Sequence, residues 1–297
     1  MFKGSFTALV TPFKNGKVDE AGFERLVEWQ IAEGTHGLVP VGTTGEAPTL
    51  SHEEHKRVVE LCVKAARKRV PVIAGAGSNS TEEAIELTEF AKKAGADATL
   101  HSTGYYNKPT QEGLYLHFKA INDAVDLPII VYNVPARTVV DILPATLARI
   151  AKLKHVKGVK DASAKVERMS QHRQLIGTNF SYLSGEDATA LGFNAHGGSG
   201  CISVTSNVAP KLCSEFQTAC LNGNWKRALE IHDLLMPLHD GLFVETNPAP
   251  VKYAAWRLGI IESPDCRLPM APVTESTKKV LDAALAAAGL LKAKAAE

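Results

Sequence analysis

Eight short apolar runs recur along the chain, separated by roughly 20 to 35 residues, the spacing of βα units. They are Ser5–Val10, His36–Pro40, Val70–Ala74, Asp97–His101, Leu127–Tyr132, His155–Lys160, Phe180–Ser184 and Gly200–Val204. Most are bounded by Gly, Pro or Asn, and each reads as a buried strand. Helical stripes lie between them. Phe23, Leu26, Val27 and Ile31 share one face, Val58, Leu61, Cys62 and Ala65 another, and Leu114, Phe118, Ile121 and Val125 a third. Ser51 with Glu54 and Ser80 with Glu83 have the S-x-x-E spacing of a capping box. Eight such units predict an α/β chain closed into a (β/α)8 TIM barrel. The rival is an open doubly wound sheet, and eight units fit closure better. Beyond Gly223 the strand signal stops. Trp225–Leu238, Pro250–Leu258 and Thr274–Leu291 read as helices, which divides the chain into a catalytic barrel (residues 1–223) and a small C-terminal helical appendage (224–297). Residues 292–297 are expected to fray.

An apolar share of 45% and a charged share of 22% over 297 residues supply a sizeable core, so a disordered or fibrous chain is excluded. Lys and Arg number 33 against 32 Asp and Glu, which gives no electrostatic reason to expect nucleic acid or an anionic membrane as partner. The five cysteines are scattered with no CxxC pair, and read as reduced thiols in a cytoplasmic protein. The N-terminal stretch lacks the pattern of a signal peptide, and no apolar run approaches the roughly 18 to 20 residues that span a bilayer.

In a βα barrel the chemistry gathers where strands end and the following loops begin. The second run ends in Gly42-Thr43-Thr44-Gly45-Glu46. The fourth leads to Tyr105-Tyr106-Asn107-Lys108-Pro109. The fifth ends at Tyr132, followed by Asn133-Val134-Pro135-Ala136-Arg137. The sixth ends at Lys160, the seventh in Ser184-Gly185-Glu186, and the eighth near Gly200-Cys201-Ile202. A desolvated lysine loses its proton more readily, and its neutral amine attacks carbonyl carbon to form a Schiff base. The plainer reading of Lys160 is an amine extended into solvent. Tyr132 is either a proton carrier beside it or a core aromatic with a satisfied hydroxyl. Gly42-Thr43-Thr44-Gly45, with backbone freedom at both ends and hydroxyls in the middle, suits a carboxylate held by backbone N–H groups, or is simply a tight turn. Arg137 has the fork to grip a second carboxylate, or forms an exposed ion pair. One amine, a few hydroxyls and one guanidinium favour imine chemistry on small keto acids with no metal.

Other patterns fail. Gly75-Ala76-Gly77-Ser78-Asn79-Ser80 lacks the third glycine of GxGxxG, and Gly198-Ser199-Gly200 is no GxSxG elbow. His52 and His55 stand in H-E-E-H, not HExxH, with no third ligand near in sequence. Asp161 and Glu186 have no evident carboxylate partner for glycosidase work.

The strand-end motifs taken together resemble the dihydrodipicolinate synthase (4-hydroxy-tetrahydrodipicolinate synthase) family of the pyruvate-dependent class I aldolase superfamily. The similarity is carried by Pro40-Val41 with Gly42-Thr43-Thr44-Gly45-Glu46, Tyr105-Tyr106-Asn107-Lys108-Pro109, Tyr132-Asn133-Val134-Pro135-Ala136-Arg137-Thr138 and Gly158-Val159-Lys160-Asp161-Ala162. Gly197-Gly198, Ile202-Ser203-Val204-Thr205 and Asn247-Pro248 match as well, in order, from about Gly4 to Leu291. The resemblance implies a lyase that condenses pyruvate with L-aspartate 4-semialdehyde, the committed step towards diaminopimelate and lysine. Lys160 would form the imine with pyruvate, and Thr43 and Thr44 would hold the pyruvate carboxylate. Tyr132, Thr43 and Tyr106 would relay the proton, Tyr106 reaching in from a neighbouring subunit. Arg137 would bind the semialdehyde carboxylate, while Gly185 and Ile202 would line the pocket through backbone groups. Arg137 argues against relatives that act on sialic acid or sugar acids.

The resemblance further implies a homotetramer built as a dimer of dimers, no cofactor, no metal, and lysine inhibition at the subunit interface through His52, His55, Asn79, Glu83 and Tyr105. The chain departs from the family pattern at Ala47-Pro48, at His101-Ser102-Thr103-Gly104 before the tyrosine pair, and at Val139, where glycine is common. Polar His101 and Ser102 need partners if buried, and Gly104 removes a stiffening proline. Two other functions stand as alternatives: an imine-forming aldolase for a sugar-derived keto acid, and a non-catalytic sensor of a keto or amino acid.

Overall fold

In the computed structural model, which describes residues 1–291, each of the eight apolar runs contributes a strand. The strands are β1 (Gly4–Ala8), β4 (Gly37–Val39), β5 (Ile73–Gly75), β6 (Ala98–Ser102), β7 (Ile129–Asn133), β8 (Val156–Asp161), β9 (Ser181–Ser184) and β10 (Gly200–Ser203). A two-stranded hairpin, β2 (Phe13–Lys14) with β3 (Lys17–Val18), follows β1 and is not signalled by the runs. All eight barrel strands pair in parallel, in the order β4-β1-β10-β9-β8-β7-β6-β5. A parallel bridge between Leu38 and Val72 joins the two ends of that order, so the sheet closes into the expected barrel and the open-sheet alternative falls. The expected fraying of 292–297 lies outside the described residues.

The helices are α1 (Glu20–Ala32), α2 (His52–Ala66), α3 (Thr81–Ala94), α4 (Gln111–Ala124), α5 (Pro135–Thr138), α6 (Pro144–Ile150), α7 (Arg168–Ile176), α8 (Ala190–Ala195) and α9 (Pro210–Leu221), with α10 (Trp225–Gly241), α11 (Ala249–Arg257) and α12 (Glu275–Ala287) beyond the barrel. The Ser51 capping box forms in full: Glu54 N–H donates to Ser51 Oγ (3.2 Å) and Ser51 N–H to Glu54 Oε2 (2.9 Å). The second capping signal forms by half. Ser80 Oγ accepts from Glu83 N–H, but the Glu83 carboxylate turns away to Ser78 and His52.

Strand alternation sets up the site. Residues such as Phe6, Val39, Ile73, Leu100, Ile130, Leu183 and Ile202 face inward and fill the barrel, while Ile129, Val131 and Val159 face the surrounding helices. With that phase, Tyr132 and Lys160 also point inward at the carboxyl end. The apolar cluster that covers α1, α2 and α9 runs on without a break into α10, α11 and α12 through Ala228, Ile231, Leu235, Leu238, Ala254 and Leu281.

Two polar groups inside this shell show how burial is compensated. His101, fully buried and outward-facing on β6, places Nε2 2.9 Å from Thr99 Oγ1 and 3.3 Å from Thr88 Oγ1 on α3, so one of its two ring nitrogens is partnered while Nδ1, among the described residues, is not. Burial pushes its pKa down to about 3. Lys252 on α11 is fully buried, donates to Glu46 Oε1 (2.7 Å) and to the Thr11 carbonyl (2.9 Å), and lies 4.1 Å from the centroid of the Phe13 ring. Burial lowers the Lys252 pKa, and the Glu46 carboxylate opposes that shift.

Two outcomes are expected. Removing one partner of the Glu46–Lys252 pair leaves a buried charge alone, so Lys252→Ala should lower the unfolding free energy by about 3–5 kcal/mol. A paired Glu46→Gln/Lys252→Met change should recover much of that loss in urea titrations. For His101, the unfolded chain binds a proton near pH 6.5 and the folded chain resists it down to about pH 3. Its contribution is therefore present above the unfolded pKa and lost as pH falls through that window. Across it, wild type should lose stability faster than His101→Gln, by up to about 1.4 kcal/mol per pH unit, in denaturation series at stepped pH.

Candidate active site

Lys160 and Tyr132 are register partners on adjacent strands β8 and β7, so the closed sheet sets their spacing. Lys160 is 6% exposed and Tyr132 7%, and the amine lies 4.2 Å from the centroid of the tyrosine ring. The solvent-extended reading of Lys160 thus fails. Its amine sits inside a cavity of about 500 Å³ at the carboxyl end of the barrel. Thr43, Thr44, Arg137 and Gly185 line the same cavity, along with Glu186, Val204 and the segment Phe243 to Asn247.

The Gly42–Glu46 turn is built differently from its sequence reading. Neither glycine takes a left-handed conformation; the residues that do are the flanking Val41 (φ 49°) and Glu46 (φ 58°). Gly45 is needed for close approach, since a Cβ there would lie 3.0 Å from the Val41 backbone and 3.1 Å from the Leu9 carbonyl oxygen. Thr11 Oγ1 donates to the Gly45 carbonyl (2.7 Å), and Glu46 is clamped by Lys252 and by the Arg267 N–H (2.9 Å). The N–H groups of Gly45, Glu46 and Ala47 are spent within the turn. Among the described residues, those of Thr43 and Thr44 have no protein acceptor, which leaves two adjacent donors at the cavity wall. Thr44 Oγ1 accepts from Asn247 Nδ2 (3.0 Å), and Arg137, exposed at the rim, donates to the Asn247 carbonyl (3.4 Å).

Gly185 lies against the lysine. Its N–H donates to the Asp161 carbonyl (2.7 Å), and a Cβ would stand 2.7 Å from Ala162 Cβ and 3.0 Å from Lys160 Cε. Ile202 is buried in the barrel interior below the cavity rather than in its wall. Tyr106 is 94% exposed on the loop after β6 and lines neither this cavity nor the next. A single chain therefore brings together Lys160, Tyr132, Thr43, Thr44, Arg137 and Gly185, and leaves Tyr106 outside. Among the described residues no hydrogen bond joins the hydroxyls of Thr43 and Tyr132.

A second cavity of about 380 Å³ adjoins the first and shares Thr43, Tyr132, Val134 and Arg137 with it. His52, His55, Glu83 and Tyr105 line it. His52 Nε2 is 2.7 Å from Glu83 Oε1, and Glu83 also accepts from Ser78 Oγ. Burial, reinforced by neighbouring His52, depresses the His55 pKa to about 4, while burial and then Glu83 raise that of Tyr105. Asn79 pins the tyrosine loop from both sides, donating to the Tyr105 carbonyl (3.2 Å) and accepting from Asn107 Nδ2 (2.9 Å). Gly104 packs against Asn107 and Pro109 in this loop. Val139 is an exposed left-handed residue capping α5 (φ 61°), a conformation that glycine would adopt without strain.

Sequence reading gave no role to Glu186, Asn247 or Asp187. The Asp187 carboxylate accepts from Val204 N–H (2.8 Å) and Thr205 N–H (3.2 Å), which fixes the turn after β10 at the cavity wall. The available signal was position: Glu186 and Asp187 directly follow a strand end, and Asn247 precedes a proline in a loop. Groups of three or more His, Cys, Asp or Glu side chains placed to hold a metal do not occur among the described residues.

Residues 1–288 match the model of the dihydrodipicolinate synthetase family. The chain is 67% identical over 291 residues to a 4-hydroxy-tetrahydrodipicolinate synthase of Parvibaculum lavamentivorans, an alignment covering 98% of this chain and all of the relative. It is similar to the chloride-inhibited dihydrodipicolinate synthase of Acinetobacter baumannii solved with pyruvate (TM-score 0.96, 46% identity, 98% of this chain and 100% of that one). It is likewise similar to the enzyme of Cyanidioschyzon merolae solved with lysine bound (TM-score 0.94, 38% identity, 98% and 99% covered).

Gly185→Ala should displace the Lys160 side chain by its new methyl group while leaving the barrel folded. Misplacement on that scale costs on the order of 10- to 100-fold in rate. Expected is a turnover fall of that size with little change in melting temperature; unchanged turnover would refute the close-approach account.

Proposed function

We propose, for a chain that belongs to the dihydrodipicolinate synthetase family, that Lys160 captures pyruvate as an imine and that the resulting enamine condenses with L-aspartate 4-semialdehyde. The product is 4-hydroxy-tetrahydrodipicolinate, the committed intermediate towards diaminopimelate and lysine, and the enzyme is a lyase. The observation that carries this reading is the Lys160 amine held inside the cavity beside Tyr132.

Each step has a group suited to it. A neutral amine adds to the ketone carbon of pyruvate, and loss of water leaves the imine. The free N–H pair of Thr43 and Thr44 receives the pyruvate carboxylate, since two converging donors stabilise an anion without a counter-charge. Removing one methyl proton from the imine gives the enamine, whose carbon attacks the aldehyde. The Tyr132 and Thr43 hydroxyls, on one cavity wall, carry protons to and from these atoms. The Arg137 fork at the rim meets the carboxylate of the incoming semialdehyde. Gly185 leaves room for the lysine, and Ile202 supports the floor.

Tyr106 completes the relay only when a second subunit delivers it, so the working unit is at least a dimer, and we assign the chain to a homotetramer of two such dimers. The cavity around His52, His55, Glu83 and Tyr105, with Asn79 holding its loop, is assigned to regulatory lysine: the Glu83 carboxylate suits an ammonium, and the shared wall at Thr43 and Tyr132 offers a route to the active site. The enzyme is placed in the cytoplasm, where pyruvate is available. No helix among the described residues is long and apolar enough to cross a membrane.

Borohydride reduction with pyruvate should add one stable adduct on Lys160, located by peptide mass analysis. Lys160→Ala should lose the adduct together with turnover of pyruvate and aspartate semialdehyde, by on the order of 10³-fold or more. Wild-type protein left unmodified after that treatment would overturn every imine mechanism for this chain.

A further inference from the structure

We propose that Glu186 binds the α-ammonium of the aldehyde substrate and accepts the proton which that nitrogen must shed before it closes the product ring. The assignment deepens the imine reading above and rests on it. The second substrate carries three functional groups. The enamine consumes its aldehyde and Arg137 answers its carboxylate, but its ammonium needs an anionic acceptor inside the same cavity.

Two carboxylates border that cavity, Glu186 and Glu245. Glu245 is committed elsewhere, accepting from Thr274 N–H (3.0 Å) and Thr274 Oγ1 (2.8 Å) at the start of α12. Among the described residues the Glu186 carboxylate has no hydrogen-bond or ion-pair partner. Its backbone, by contrast, is held: Glu186 N–H donates to Ser184 Oγ (3.2 Å), which in turn donates to the Glu186 carbonyl (2.8 Å). The residue directly follows Gly185, where an added Cβ would stand 3.0 Å from Lys160 Cε, and it lines the same cavity as Lys160, so it stands near the imine. Partial burial and the neighbouring Asp187 charge raise its pKa, and Lys160 pulls the other way. A half-buried carboxylate of this kind is a stronger base than one in water.

The chemistry then balances. After the new carbon–carbon bond forms, the ammonium gives one proton to the Glu186 carboxylate. The freed lone pair forms a C–N bond to the imine carbon on Lys160. A second proton passes from that nitrogen to Lys160 Nζ. The C–Nζ bond breaks, its electron pair leaving with the lysine amine, while the ring nitrogen's remaining pair makes the new C=N bond, and the last proton on that nitrogen is lost to solvent to give the neutral ring imine. The proton on Glu186 returns to solvent when product leaves. No redox partner is required.

The test pairs Glu186→Gln and Glu186→Asp with two aldehydes, aspartate semialdehyde and its analogue 4-oxobutanoate, which lacks only the amino group. In Glu186→Gln, kcat/KM for aspartate semialdehyde should fall on the order of 10²-fold. Trapping of pyruvate on Lys160 and inhibition by 4-oxobutanoate should stay at wild-type values, and Glu186→Asp should recover a substantial part of the loss. Unchanged kcat/KM in Glu186→Gln, or equal loss of affinity for both aldehydes, would overturn the assignment, the second outcome marking a merely structural role. A wild-type chain that fails to trap pyruvate would instead overturn the imine reading beneath it.

Discussion

The contact between Glu46 and Lys252 joins two distant parts of the chain in a place that water does not reach. On one side is the turn that presents the Thr43 and Thr44 N–H groups; on the other is α11, beyond the barrel. A buried ammonium and carboxylate are tolerated only when each is fully engaged. Here the carboxylate also takes the Arg267 N–H, and the ammonium also takes the Thr11 carbonyl and the face of Phe13. Val41 just before the turn and Glu46 at its end take left-handed conformations, a geometry costing on the order of 1–3 kcal/mol per residue, and it persists because these contacts over-determine it. The C-terminal helices therefore act on the site as well as on the core. Through Lys252 they anchor the Gly42–Glu46 turn from behind, and the loop that leads into α11 supplies Asn247, which donates to Thr44 Oγ1.

The barrel contributes the complementary half. Parallel pairing of β7 with β8 fixes Tyr132 opposite Lys160, and the two-residue alternation of strands turns both towards the axis. Strands thus hold Lys160 and Tyr132, while the other groups stand beyond the strand ends: Arg137 at the rim, Glu186 after β9, Tyr106 on the outward loop. That division suits a reaction in which one small substrate is bound covalently and a second must enter and be oriented against it.

Much of this was legible before any coordinates. Eight βα repeats announced the barrel, because strand and helix periodicities are local and each repeat carries its own stop signals. Strand-end position singled out Lys160, Tyr132, Arg137 and the Thr43-Thr44 pair, because in this architecture chemistry and strand ends coincide. The weaker readings were those in which a local pattern had a competing long-range partner. Ser80 and Glu83 have capping-box spacing, yet the Glu83 carboxylate serves His52 and Ser78 across a helix pair. The glycines of the Gly42–Glu46 turn looked like the flexible points, whereas Val41 and Glu46 carry the unusual backbone.

The amino-acid order by itself determined the alternation of elements, the phase of each strand and hence the identities of the side chains at the barrel mouth, since those follow from period-two and period-3.6 patterns within a few residues. Only the tertiary structure decided that the Lys160 amine is enclosed rather than solvated, that Lys252 lies 206 residues along the chain from the carboxylate it neutralises, and that Glu186 remains uncommitted where Glu245 does not. The physical reason is common to all three: burial and partnership are properties of surfaces brought together by closure of the sheet, and no window of sequence contains both members of such a contact.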